Sequence, residues 1–133
     1  MDSSLFQLEG KAALVVGGGQ GMGESTAMFL ARAGCGVAVA DVLKERADRV
    51  ANAVADLGQT SASIVGNVLD DSQVKEVVTR AERELGGLDV LVTIVGQASF
   101  NSLLDMTPEQ WDLDHSRNLR YFFMTACDIR VVP

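Results

Sequence analysis

The amino-acid sequence predicts an α/β fold: a doubly wound parallel sheet in one domain spanning residues 1–133. Three observations carry that expectation. Strand-length apolar runs alternate with amphipathic helical segments, so that each run is followed by a crossover. The runs lack polar alternation, as strands covered on both faces do. The first of them enters a glycine-dense turn that opens a helix, the arrangement that begins a nucleotide-binding crossover in this fold class.

In chain order, Ala12-Ala13-Leu14-Val15-Val16 reads as the first strand, and Gly17 to Gly23 as the turn, with a helix expected from near Glu24 to Ala33 and Gly34 closing it. Gly36 to Ala40 is a second strand ending at Asp41. Lys44 to Leu57 is the clearest helix, with Ala47, Val50, Ala51 and Val54 on one face. Ser61 to Val65 is the third strand, and Ser72 to Leu85 repeats the amphipathic pattern through Val74, Val77, Val78 and Ala81. Leu88 to Val95 is the fourth strand. Thr107-Pro108-Glu109-Gln110 has the form of a helix start, with a threonine cap, proline at the first helical position and a capping-box glutamine. Leu119, Phe122, Phe123 and Ala126 form that helix's apolar face. Cys127 to Pro133 abandons the pattern, and its β-branched cluster before proline favours extended chain. The strand order 3-2-1-4 is expected, with the ends of the first and fourth strands beside a topological switch point.

Composition narrows the partners. The chain has 133 residues, 47% hydrophobic and 22% charged, enough for one core. Its 18 acidic residues outnumber 11 basic ones, for a net charge of −7, and no Lys/Arg cluster offers a site for nucleic acid or an anionic membrane. Met1 to Ser4 has no basic segment and no apolar run reaches membrane-spanning length. Cys35 and Cys127 lack metal-ligand spacing, so no metal and a reduced, cytoplasmic setting are expected.

The register of the glycines decides among ligand classes. Gly17, Gly21 and Gly23 fit G-x-x-x-G-x-G, whereas G-x-G-x-x-G would need glycine at Met22 or Glu24. Gly18 to Ser25 approaches the phosphate-loop spacing, but Glu24 stands where that loop requires lysine. Gly17, Gly19 and Gly21 also suit a methyl-donor site, which would want an acid where Val15-Val16 stand; a loop with no ligand is the plain alternative. Asp41 lies 18 residues beyond Gly23, at the end of the second strand, where a carboxylate can bond both ribose hydroxyls of NAD and repel the 2′-phosphate of NADP; a helix-capping role is its bland alternative.

On these residues the chain resembles the N-terminal half of the short-chain dehydrogenase/reductase family, from about Gln7 to Ala126, with a Rossmann-like sheet truncated after its fourth strand and the helix that follows. Val16-Gly17 to Gly23 matches that family's T-G-x-x-x-G-x-G with valine for threonine. Asn67-Val68 is similar to its Asp-Val, which contacts adenine, and asparagine keeps an acceptor there. Trp111 and Asn118 match its W-x-x-x-x-x-x-N helix, whose asparagine supports a proton relay. Thr93-Ile94-Val95-Gly96 stands for the family's Asn-Asn-Ala-Gly, and Asp114, His115 and Arg117 replace apolar residues. The single histidine, His115, reads as solvent-facing.

The resemblance implies Gly17, Gly19, Gln20, Gly21, Met22, Gly23, Asp41, Val42, Asn67, Val68, Val95 and Gly96 as NAD-binding residues and Asn118 as the catalytic one. It also implies a catalytic serine and a Tyr-x-x-x-Lys. Here the only tyrosine, Tyr121, is followed four residues on by Thr125. The expectation is therefore an NAD-dependent oxidoreductase by descent that binds NAD(H) without turnover, an alcohol or carbonyl substrate belonging to a complete chain only. A non-catalytic nucleotide-binding or partner-interaction module is the alternative. A homo-oligomer through the final helix or the open edge of the fourth strand is also expected.

Overall fold

The computed structural model describes residues 3–129. A 3-10 turn (Ser3–Phe6) precedes four strands, β1 (Ala12–Val16), β2 (Gly36–Asp41), β3 (Ser61–Val65) and β4 (Val90–Thr93). All pairings are parallel and the sheet order is β3-β2-β1-β4, as expected. The crossovers are α1 (Gly21–Arg32), α2 (Lys44–Asp56) and α3 (Asp71–Leu85). After β4 come α4 (Pro108–His115), a π-helical turn (Ser116–Arg120) and α5 (Tyr121–Asp128).

The side-chain period of two divides β1 between two cores. Leu14 and Val16 join Ala38, Ala40 and Ile64 against Val74, Val77, Val78 and Ala81 of α3. Ala13 and Val15 join Val37 and Val39 against Ala27 and Ala31 of α1 and Val50, Ala51 and Val54 of α2. Both faces of the two central strands are therefore covered, which is why these strands carry no polar residue before Asp41. β3 is different. Its outer edge has no strand partner among the described residues and it alternates, with Ala62 and Ile64 buried and the Ser63 hydroxyl donating to Asp48 Oδ1 at 2.6 Å. The absence of polar alternation holds for β1 and β2, not for β3.

Strand ends are level: Val16 pairs with Ala40 on one side and Thr93 on the other. The fourth strand is shorter than Leu88 to Val95. Asp89 turns its carboxylate to the start of β1, accepting from the Ala12 N–H at 2.9 Å, and past Thr93 only the Ile94 N–H still reaches β1, at Val16. α1 starts at Gly21, three residues before the expected Glu24, because Gln20 is its extended N-cap. The Thr107 capping box and Pro108 are present as read from the sequence.

The final helix departs most from expectation. Its buried residues are Tyr121 and Thr125, while Leu119, Phe122, Phe123 and Ala126 point outward, Phe123 being 62% exposed. The π turn rotates the helix relative to a regular 3.6-residue period, and the Tyr121 hydroxyl fixes the new phase by bonding both the N–H and the C=O of Val95 (3.1 and 2.7 Å). Cys127 and Asp128 remain helical rather than extended, and Ile129 leaves the helix. The rest of the expected extended tail, residues 130–133, lies outside the described residues.

Surface carboxylates bind the layers together. Arg120 of the π turn forms a bidentate pair with Asp71 at the start of α3, and Arg49 of α2 pairs with Glu24 of α1. Hydrogen bonding from these arginines holds Asp71 and Glu24 below the usual carboxylate range. Lys44 and Ser63 do the same for Asp48, Ser72 and Gln73 for Asp70, and the Ala12 N–H for Asp89. Each group takes up its proton at higher pH when unfolded than when folded. Its contribution is therefore complete above the ordinary carboxylate range and lost as pH falls through it toward the depressed folded values. The melting temperature should hold steady down to about pH 5 and fall below about pH 4. Asp71→Asn should show a smaller acid-induced drop than the parent chain. A melting temperature unchanged from pH 5 to pH 3, read by circular dichroism, would contradict this.

Candidate functional site

The carboxyl ends of all four strands open into one cavity of about 550 Å3. It lies where β1 has β2 on one side and β4 on the other, the place at which crossovers leave in opposite directions and a crevice forms. Its walls are Val16 and Gly17 after β1, Ala40 to Val42 after β2, Gly66 to Leu69 after β3 and Ile94 to Gly96 after β4; Gln20, Gly21, Met22 and Arg46 complete it.

The glycine turn is held against β2 by N–H donation from Gly17 and Gly18 to the Ala40 carbonyl (2.8 and 3.1 Å). A Cβ at Gly23 would sit 2.0 Å from the Gly17 carbonyl oxygen and 2.9 Å from Gly18 Cα, so the first turn of α1 packs directly on the loop that precedes it. A Cβ at Gly19 would meet Asp41 Oδ2 at 2.5 Å. No side chain caps α1, which leaves the N–H groups of its first turn without a side-chain partner at the cavity's edge. Glu24, whose charge would oppose an anion there, is neutralised by Arg49, which also donates to the Gly19 carbonyl at 3.0 Å.

Asp41 is 8% exposed, and its carboxylate is held from two sides: Oδ2 accepts from the Gly19 N–H at 3.1 Å and Oδ1 from the Leu43 N–H at 3.0 Å. An ionised carboxylate offers about four lone-pair positions, so each oxygen retains one. Cap and cavity-wall roles thus coexist in this residue.

The Asn67 amide oxygen takes one backbone bond and has a second lone pair. It accepts from the Leu69 N–H at 3.0 Å. Nδ2 is the side-chain atom without a partner among the described residues, and it is a donor.

On the fourth side, α4, α5 and the turn between them grip the chain leaving β4. Tyr121 holds Val95. Asn118 Oδ1 accepts from the Gln97 N–H at 3.1 Å while Nδ2 donates to the Gln97 and Asp114 carbonyls, both at 2.8 Å. Asp114 adds two bonds to Ser99 at 3.0 Å. Asn118 therefore stands behind Gly96 and Gln97, outside the cavity lining, with both donors and its acceptor engaged. His115 is exposed, as expected, and its Nδ1 lies 3.0 Å from the Trp111 carbonyl.

Of the residues expected from the sequence, Gly17, Gln20, Gly21, Met22, Asp41, Val42, Asn67, Val68, Val95 and Gly96 line the cavity; Gly19 and Gly23 support it from behind. Val16, Ala40, Arg46, Gly66, Leu69 and Ile94 also line it and were missed. Arg46 follows Asp41 by five residues on the first turn of α2, and its guanidinium makes no ion pair among the described residues; that spacing was its one available signal. No group of three or more His, Cys, Asp or Glu side chains among the described residues could hold a metal, and no helix there is long and apolar enough to cross a membrane.

Comparison with known proteins adds the lineage. A family model described as short chain dehydrogenase matches residues 11–129. A short chain dehydrogenase of Claviceps purpurea is 36% identical over 122 residues, which are 91% of this chain and 46% of that protein. A short-chain type dehydrogenase/reductase structure from Mycobacterium marinum superposes with a TM-score of 0.85 at 33% identity, covering 96% of this chain and 52% of that one. A short chain dehydrogenase from Burkholderia cenocepacia, solved in complex with NADP, gives 0.82 at 34% identity, with 91% and 50% covered. The chain spans about half the length of the relatives it matches.

The structure separates two glycines that the sequence treated alike. Gly21 has open space where a Cβ would go, at φ +57°, and Gly23 has none. Gly23→Ala should lower the melting temperature by at least about 4 °C, the scale of a 1 kcal/mol overpacking cost in a domain of this size. Gly21→Ala should lower it less, through backbone strain alone. Equal melts for the two variants would show that the turn does not depend on this close approach.

Proposed function

The chain belongs to the short-chain dehydrogenase family of oxidoreductases, and from that premise we propose that it binds NAD(H) in the cavity at the carboxyl ends of its strands. The observation that carries the proposal is the Asp41 carboxylate, withdrawn from solvent, fixed by two N–H donors and left with acceptor capacity at the cavity wall. That arrangement suits a pair of ribose hydroxyls. The glycine turn admits a pyrophosphate at the start of α1, where Gly21 and Met22 present backbone donors. When bound, the nicotinamide supplies the hydride acceptor or donor for an alcohol–carbonyl conversion.

Asn118 acts in this reading through position. Its bonds to Gln97, with those of Tyr121 to Val95, hold the Ile94 to Gly96 wall against which the cofactor lies. The single tyrosine is committed to that task and has Thr125 four residues on, so the 133-residue chain is proposed to bind NAD(H) without turning over an alcohol or carbonyl substrate.

Arg46 weighs on cofactor choice. Asp41 opposes a 2′-phosphate, whereas a guanidinium at the same wall, without an ion pair among the described residues, attracts one. The buried acid is the closer constraint on the turn, so NAD(H) should bind more tightly than NADP(H) in calorimetric titration. Asp41→Ala should shrink the preference and Arg46→Ala should widen it. Tighter NADP(H) binding by the parent chain would overturn the assignment.

A second reading, a module that acts by pairing with another protein surface, is favoured by one observation. Trp111, Leu119, Phe122 and Phe123 are exposed along α4 and α5, and β4 pairs only with β1 among the described residues. An open strand edge and an apolar helix face of this kind promote association. Light scattering on chromatographed protein should show a mass that rises with concentration, and Phe122→Ser with Phe123→Ser should reduce it. A parent chain monomeric at every concentration would remove this reading.

A further inference from the structure

The glycine turn carries a charge that works against an anion. Glu24 lies in the first turn of α1, where a carboxylate offsets the positive end of the helix dipole that attracts phosphate. It also stands where the phosphate-loop spacing requires lysine. The cation comes instead from α2. Arg49 pairs with Glu24 through two bonds, Nη1 to Oε1 at 2.5 Å and Nη2 to Oε2 at 2.8 Å, and Nη2 also donates to the Gly19 carbonyl at 3.0 Å. One guanidinium therefore touches the turn and the acid together. Its hydrogen bonds hold Glu24 below the usual carboxylate range, so the acid is ionised at neutral pH and its charge is cancelled only by a partner.

Stability does not account for this pair. The Glu24 side chain is 33% exposed and that of Arg49 56%, and ion pairs so open to water contribute little to folding. The charge beside Gly19 is another matter. Asp41 accepts from the Gly19 N–H, Arg49 donates to the Gly19 carbonyl and holds Glu24, and a Cβ at Gly19 would lie 2.6 Å from Arg46 Cβ. Two acids and two bases thus balance around the turn. Without Arg49 the balance is negative at the place where a dinucleotide brings its phosphates.

We propose, resting on the NAD(H) reading above, that Arg49 is a positioning residue for the pyrophosphate that acts through Glu24. It cancels that carboxylate and keeps it bonded toward α2, so that the start of α1 stays attractive to an anion. The influence on the ligand is electrostatic. It follows the summed charge of the pair, not the presence of either side chain, and that separates it from a brace that merely holds the turn in shape.

The test is calorimetric titration of the full chain with NAD+, for the parent, Arg49→Gln, Glu24→Gln and the double variant, at low ionic strength and at about 1 M salt. Arg49→Gln leaves the acid uncancelled and should weaken binding at low salt by at least about fivefold. Glu24→Gln leaves the guanidinium uncompensated and should strengthen binding. The double variant restores a neutral sum and should return the dissociation constant to within about twofold of the parent. The loss in Arg49→Gln, taken as a ratio to the parent, should shrink at high salt, where repulsion beyond about 3 Å is screened. A brace would behave otherwise: its loss would be the same at both salt concentrations, and Glu24→Gln would not repair it. Either of those results overturns the proposal while leaving NAD(H) binding intact. Should Arg49→Gln fail to fold, Glu24→Gln decides alone, and binding equal to or weaker than the parent's overturns the proposal. No binding of NAD+ by the parent overturns the NAD(H) reading and this proposal with it.

Discussion

The carboxylate of Asp41 holds three parts of the molecule in one place. It ends β2, caps the approach to α2 through the Leu43 N–H, and fixes the glycine turn through the Gly19 N–H. Taking a carboxylate out of water is unfavourable unless its oxygens are satisfied, and here two backbone donors that the turn and the helix start leave unused satisfy it. The same bonds bring Gly19 so close that no side chain fits between it and Asp41 or Arg46. The shape of the turn, the placement of α2 and the acidity of the cavity wall are thus consequences of one buried group. Gly23 completes the arrangement from the other side, bringing α1 onto the Gly17 carbonyl.

The opposite wall is built by another device. Ile94 to Gly96 leave the sheet, so their backbone groups must find partners outside the ladder. Tyr121 bonds both polar groups of Val95 and Asn118 bonds both of Gln97, as a neighbouring strand would. Both side chains reach the loop because the helix is reset at the π turn between Ser116 and Arg120. The cost of the reset is an apolar stripe, Leu119, Phe122 and Phe123, turned to the surface rather than the core.

The cavity therefore has one wall set by a charge and one set by neutral clamps, with apolar side chains between them. Such a site orients a ligand through few polar contacts, so the polarity of each matters. Asn67 is informative for this reason: the turn it initiates takes one acceptor position of its amide and fixes the orientation of the group. Arg46 is informative as well, being a long cation with no ion-pair partner among the described residues, beside a fixed anion.

The sequence by itself determined the parallel sheet and its order, the buried faces of α2 and α3, the glycine turn and the position of Asp41. These are properties of short-range pattern: a period of 2 or 3.6, glycine where a side chain cannot fit, an acid where an apolar run stops. Only the tertiary structure decided which face of the last helix is buried, that Tyr121 is a clamp, that Asn118 is spent on the loop, and that the Asn67 amide oxygen is held by the Leu69 N–H. Each of these depends on a hydrogen bond to a distant or turned backbone group, Val95 and Gln97 lying more than twenty residues from their partners. Hydrophobic periodicity marked Phe122 and Phe123 as one apolar face, but it cannot register a phenol held by a carbonyl or an amide held by a turn. Residue type names the groups that can bond; the fold alone decides which of them are still free.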